Sequence, residues 1–177
     1  MTKSNIKCKN NDIALKDDQH TGWATTPRCY QSHPELPLGG GTVIGGNCLN
    51  HKAHMANIYV ALCDSHMHPT FHEDMLMVGG PVCIHYPITN MKAPNNPTKF
   101  KALITYLEAE LLNGSQVHIG CIGGHGRTGL VIAALVARLG VSDDPIGWVR
   151  ANYCGRAVES DIQENFLVVH FGAKIPG

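Results

Sequence analysis

Cys121 and Arg127 are separated by five residues in the run Cys121-Ile122-Gly123-Gly124-His125-Gly126-Arg127-Thr128-Gly129. A thiolate is a strong nucleophile, and a guanidinium is a planar fork that takes two oxygens of a phosphoryl group and stabilises the charge spreading over them in the transition state. Lysine's point charge would do this less well. Glycine at 123, 124 and 126 lets backbone N–H groups converge into an anion nest. In general a cysteine, with a pKa of about 8.5 in water, falls to about 3.5–7.5 beside cations and helix N-termini. The expected chemistry is therefore nucleophilic attack by Cys121 on a phosphate held by Arg127 and by the backbone of residues 122–126.

Two elements must position this loop. Gln116 to Ile119 alternates like the end of a strand, and Leu130-Val131-Ile132-Ala133-Ala134-Leu135-Val136-Ala137 is apolar almost all round, as a buried helix is. The loop thus opens a helix, whose first N–H groups and dipole add to its positive field. A nucleotide-binding P-loop does not fit, because Cys121 stands where its first glycine belongs and Arg127 where its lysine belongs.

Cys-x5-Arg-Thr-Gly at a strand-to-helix turn resembles the signature loop of the cysteine-based protein tyrosine and dual-specificity phosphatases, above all small members with a Gly-Gly-x-Gly-Arg-Thr-Gly version. The resemblance covers about residues 82–168. It implies that Cys121 forms a cysteinyl-phosphate, Arg127 clamps the phosphate, Thr128 assists the thiolate, and Ile122, Gly123, Gly124, His125 and Gly126 line the oxyanion. It also implies that no cofactor or metal is needed. One position departs: the family usually has histidine directly before the cysteine, whereas here Gly120 stands there and His118 lies two residues back.

A second family element is a general-acid aspartate on a loop about thirty residues before the nucleophile. Tyr86-Pro87-Ile88-Thr89-Asn90-Met91-Lys92-Ala93-Pro94 occupies that place, with Asn90 at the acid position. An amide cannot protonate a leaving oxygen, and losing such an acid typically costs about 10²–10⁴ in rate. Three accounts remain open: an engineered Asp-to-Asn change, an acid from elsewhere such as Asp64, His66, His68 or Asp74, or a pseudophosphatase that binds phosphate and barely turns over. Gln163 matches the family glutamine that positions the hydrolytic water, but Ser160-x-x-Gln163 is equally a helix capping box. His125 either biases the substrate or points to solvent. Cys63, His66, His68 and His72 are of ligand type, but their spacing matches no standard metal set.

Composition points to one domain. The 177 residues are 44% hydrophobic and 16% charged, enough for one core and too few for two ordinary domains. With 14 basic and 14 acidic residues, no broad nucleic-acid or membrane-surface footprint is expected. Residues 1–20 read as a loosely held polar extension without a signal peptide, and 21–177 as the catalytic domain. Seven cysteines without a regular framework fit reduced thiols in a cytoplasm.

Strands are expected at Thr42–Gly45, Asn57–Cys63, Val82–Ile88 and Gln116–Ile119. A helix bearing Phe100, Leu103, Ile104, Leu107, Leu111 and Leu112 lies between the last two, and further helices begin at Asp144-Pro145 and Ser160. The fold class expected is α/β: a single domain with a mostly parallel central sheet of about four to five strands flanked by helices. Phosphorylated proteins or peptides lead as substrates, ahead of a small phosphomonoester or an RNA end.

Overall fold

The computed structural model describes residues 33–47, 56–63 and 81–174. The proposed extension at 1–20 and the segment holding Asp64, His66, His68, His72 and Asp74 lie outside the described residues. Five strands form one sheet: β1 (Leu36–Leu38), β2 (Gly41–Asn47), β3 (Ile58–Ala61), β4 (Val82–His85) and β5 (Gln116–Cys121). Their order across the sheet is β1-β2-β5-β3-β4, with only β1 antiparallel to its neighbour. Helix α1 (Pro97–Leu112) connects β4 to β5, and α2 (Gly126–Arg138), α3 (Pro145–Asn152) and α4 (Asp161–Phe171) follow. This is the expected α/β sheet. None of the described helices is long and apolar enough to cross a membrane.

β1 was not foreseen, because Pro37 argues against a strand. Pro37 is tolerated on the outermost strand, where a missing N–H costs no ladder bond with a further neighbour. The strand exists because Gly39 and Gly40 both take positive φ, +67° and +121°, and turn Leu38 back onto Gly41 as a two-residue hairpin. At the other edge β4 is shorter than expected. Pro87 has no N–H to extend the ladder, and Ile88 N bonds Leu62 O while the Ile88 carbonyl serves a different partner, described below.

Side-chain alternation sorts the sheet into two faces. Val43, Ile58, Val60, Val117 and Ile119 join the main core with the buried helix residues, whereas Tyr59 and Cys83 belong to a second, smaller cluster. Helix α1 begins at the side-chain cap of Asn96, whose Oδ1 accepts from Lys99 N at 2.9 Å, with Pro97 pre-set at its first position. It seats Phe100, fully buried, against Phe166 and Phe171 in edge-to-face contacts.

α2 is the spine. Every residue from Gly126 to Val136 is buried, and the helix packs on β5 and β2 as well as on α1, α3 and α4. Behind it runs the segment 157–158, held by Arg150, whose Nε donates to Ala157 O and Nη2 to Val158 O while pairing with Glu164. Val158 sits there at φ +58°, an unfavourable region for a β-branched residue that these contacts enforce. Approach is so close that a Cβ on Gly129 would lie 2.7 Å from Ala157 Cβ and 2.9 Å from Val158 N. Gly129→Ala should therefore destabilise by about 1–3 kcal/mol through overpacking. Urea unfolding should show a lower midpoint, and an unchanged midpoint would mean that the segment yields freely.

Candidate active site

β5 ends at Cys121, paired across the sheet with Asn47, and the chain turns through residues 122–125 into α2. Gly124 makes the turn with φ +68°, and a Cβ there would meet the backbone of Gly46 at 2.8–2.9 Å, so only glycine fits. α2 has no side-chain N-cap, unlike α1, α3 and α4, which are capped by Asn96, Asp144 and Ser160. Its first N–H groups thus face the loop, the arrangement that favours an anion.

Cys121 lies buried on the floor of the loop. Its Sγ accepts from Gly124 N and from Thr128 Oγ1, both at 3.2 Å, so backbone and hydroxyl fix the sulfur's orientation together. Arg127, also buried, donates through Nη1 to Ile88 O at 3.0 Å and to Leu62 O at 3.4 Å. With Nη1 committed, Nε and Nη2 remain as the parallel pair that matches two phosphate oxygens. Cys121 and Thr128 are therefore brought together, while Arg127, in the first turn of α2, reaches the carbonyls that follow β3 and β4.

The segment with Asn90 is fastened from two sides. Arg127 holds Ile88 O, and α4 holds the next residues: Ser160 Oγ donates to Met91 O at 2.9 Å and Gln163 Nε2 to Lys92 O at 3.3 Å. Asn90 itself is exposed on the turn between them. Gln163 is fully buried; its Oε1 accepts from Glu159 N at 2.9 Å, and its backbone N–H is capped by Ser160 Oγ. The capping function is thus present, and the same Oε1 would stand 3.1 Å from a Cβ on Gly126, beside the loop.

His125 does not point to solvent. It is 1% exposed, with Nδ1 3.1 Å from Cys154 Sγ and its ring edge-on to His33 at 5.2 Å. His118 faces the other side of the sheet from Cys121, its ring 5.5 Å from Tyr59, so it cannot take the place of the family's histidine beside the sulfur. Two residues at the site carried no local signal. Tyr153 Oη donates to Gly124 O at 2.6 Å and props the loop from behind, and Glu159 Oε2 lies against Gly126.

With this geometry in hand, the chain can be set beside known proteins. The family described as "Polymorphic toxin system, DSP-PTPase phosphatase" matches residues 56–141. The crystal structure of Tk-PTP in the active form superposes with a TM-score of 0.63 at 25% identity, over 77% of this chain and 95% of that one. That of kinase associated phosphatase gives 0.63 over 82% and 98%; at 18% identity this is a likeness of fold. An uncharacterized protein of Methanocaldococcus jannaschii is 38% identical over 73 residues, 41% of this chain and 49% of its own length. The chain spans about half the length of the curated relatives it matches. Over residues 56–141 the chain is similar to the cysteine-based protein tyrosine and dual-specificity phosphatases.

Burial sets an acid limit. Desolvation lowers His33, His118 and His125 from 6.5 to about 4, the last helped by His33 and Arg156 nearby. Such groups stay neutral in the fold while the unfolded chain takes up protons below 6.5, so stability is full above that pH and is lost as pH falls toward 4. His118→Leu removes one of the three, and its urea midpoint should fall less steeply over this range than that of the parent. Parallel slopes would mean that His118 is not neutral in the fold.

Proposed function

We propose that the chain hydrolyses phosphomonoesters, with phosphorylated proteins or peptides as substrates, by way of a cysteinyl-phosphate on Cys121. The observation that carries this reading is the convergence of the Gly124 N–H and the Thr128 hydroxyl on Sγ, in a loop that ends at Arg127, whose Nη1 is held by Ile88 O and leaves two parallel donors. Sγ attacks phosphorus, the P–O bond to the leaving group breaks, and water then cleaves the P–S bond. Arg127 and the loop N–H groups stabilise the equatorial oxygens in both steps. Gln163, beside Gly126, is assigned the orientation of that water. A small phosphomonoester or an RNA end ranks behind phosphoprotein, and a cytoplasmic setting suits a nucleophile that must stay reduced.

Cys121→Ser should abolish turnover of an aryl phosphate while retaining oxyanion binding, and rapid acid quench of the parent should trap one labelled phosphate per active Cys121. A serine variant with parental activity overturns the mechanism.

Asn90 favours a second reading, a phosphate-binding pseudophosphatase. Acidic phenols leave unprotonated, whereas tyrosine needs help and serine's alkoxide needs most. Asn90→Asp should therefore raise turnover of phosphotyrosine peptides far more than of an activated aryl ester, by up to about 10²–10⁴ if the carboxyl takes full effect. It should also add a falling alkaline limb to the pH profile. A rate that the substitution leaves unchanged with every leaving group would show that Asn90 is not at the acid position.

A further inference from the structure

We propose that His33, His125 and Cys154 form a binding site for a soft divalent cation of the zinc class, placed behind the phosphate loop and outside the reacting centre. One ligand atom from each residue lies within 4.8 Å of the other two. Tetrahedral zinc, with bonds of about 2.0–2.1 Å to nitrogen and about 2.3 Å to sulfur, sets neighbouring ligand atoms roughly 3.3–3.6 Å apart. His125 Nδ1 and Cys154 Sγ, at 3.1 Å, are already near that spacing. His33 closes the set by a small shift of its ring.

His33 supplies an independent reason. Both its ring nitrogens are buried, and neither has a hydrogen-bond partner among the described residues, while the ring stacks on Tyr153 at 4.4 Å. Burying polar nitrogens unpaired is costly unless another group completes them. A cation does so. Thiolate with two imidazoles selects zinc-class ions over magnesium or calcium, which prefer oxygen. The Cys154 thiol proton passes to solvent as the metal–sulfur bond forms. Cys154 and His125 are almost wholly enclosed while His33 is partly exposed, which gives the ion a way in, and water completes the fourth position.

The three ligands come from the segment before β1, from the phosphate loop, and from the turn after α3. A bound cation would staple them together. His125 is directly linked to Gly124, whose N–H holds Cys121 Sγ, so the cation would position the loop without touching substrate.

The test uses the full-length chain, stripped with a chelator and titrated with Co²⁺, then with competing Zn²⁺. One Co²⁺ per chain is expected, with a thiolate-to-cobalt charge-transfer band and tetrahedral visible bands that Zn²⁺ erases. Cys154→Ser should remove the charge-transfer band and His33→Ala should weaken binding by at least about 100-fold, more than loss of an outer partner does. His33→Gln, which keeps most of the packing, should behave like His33→Ala, and Zn²⁺ should raise the melting temperature of the parent and of Cys121→Ser but not of Cys154→Ser. The proposal fails if the band disappears in Cys121→Ser and persists in Cys154→Ser, if both His33 variants bind as the parent does, or if the ion depends instead on His66, His68 or His72.

Discussion

Arg127 is a buried cation whose guanidinium is held by carbonyls that follow two adjacent strands, Leu62 after β3 and Ile88 after β4. An enclosed charge is tolerated only when its hydrogen-bonding capacity is met, so these carbonyls cannot drift from it without leaving the charge stranded. The same bonds fix the guanidinium's orientation and tie the segment carrying Asn90 to α2, the helix that opens from the loop. Stability and catalytic geometry therefore rest on one set of contacts. The sheet, the guanidinium and the Asn90 segment are not independent parts.

Beside that cation the loop is supported by side chains distant from it in sequence. Tyr153 bonds the Gly124 carbonyl, Cys154 and His33 enclose His125, and Arg150 pins the strained Val158 against Gly129. Each of these residues except His33 lies in α3 or after it. The C-terminal third of the chain thus serves as the mould in which a glycine-rich turn, floppy by itself, takes a single shape.

Much of this was legible in residue order. The Cys121–Thr128 loop was readable because its cysteine, arginine and hydroxyl are neighbours along the chain, α1 because its apolar residues from Phe100 to Leu111 recur at helical spacing, and α3 and α4 because Asp144-Pro145 and Ser160 announce their starts. What stayed hidden depends on distant contacts. β1 was obscured by Pro37, which an outermost strand accommodates, and the short β4 by Pro87. His125 was left between substrate and solvent because its burial comes from His33 and Cys154, far away in sequence. Gln163 was left between cap and water-positioning residue, and its amide bonds Glu159 and Lys92 while lying beside Gly126.

The central strand is the last to be made. β5 lies between β2 and β3, pairing Thr42 with Gln116 and Ile58 with Val117, so both older strands wait for residues far downstream. Such non-local pairing is slow, because loop closure must be completed before the contacts that reward it. During synthesis the nucleophile cannot be seated until β5 and the helices behind it have emerged from the ribosome, and until then the apolar faces of β2 and β3 have no neighbour between them. The nascent chain is accordingly most exposed to aggregation over the interval in which the loop still lacks its supports.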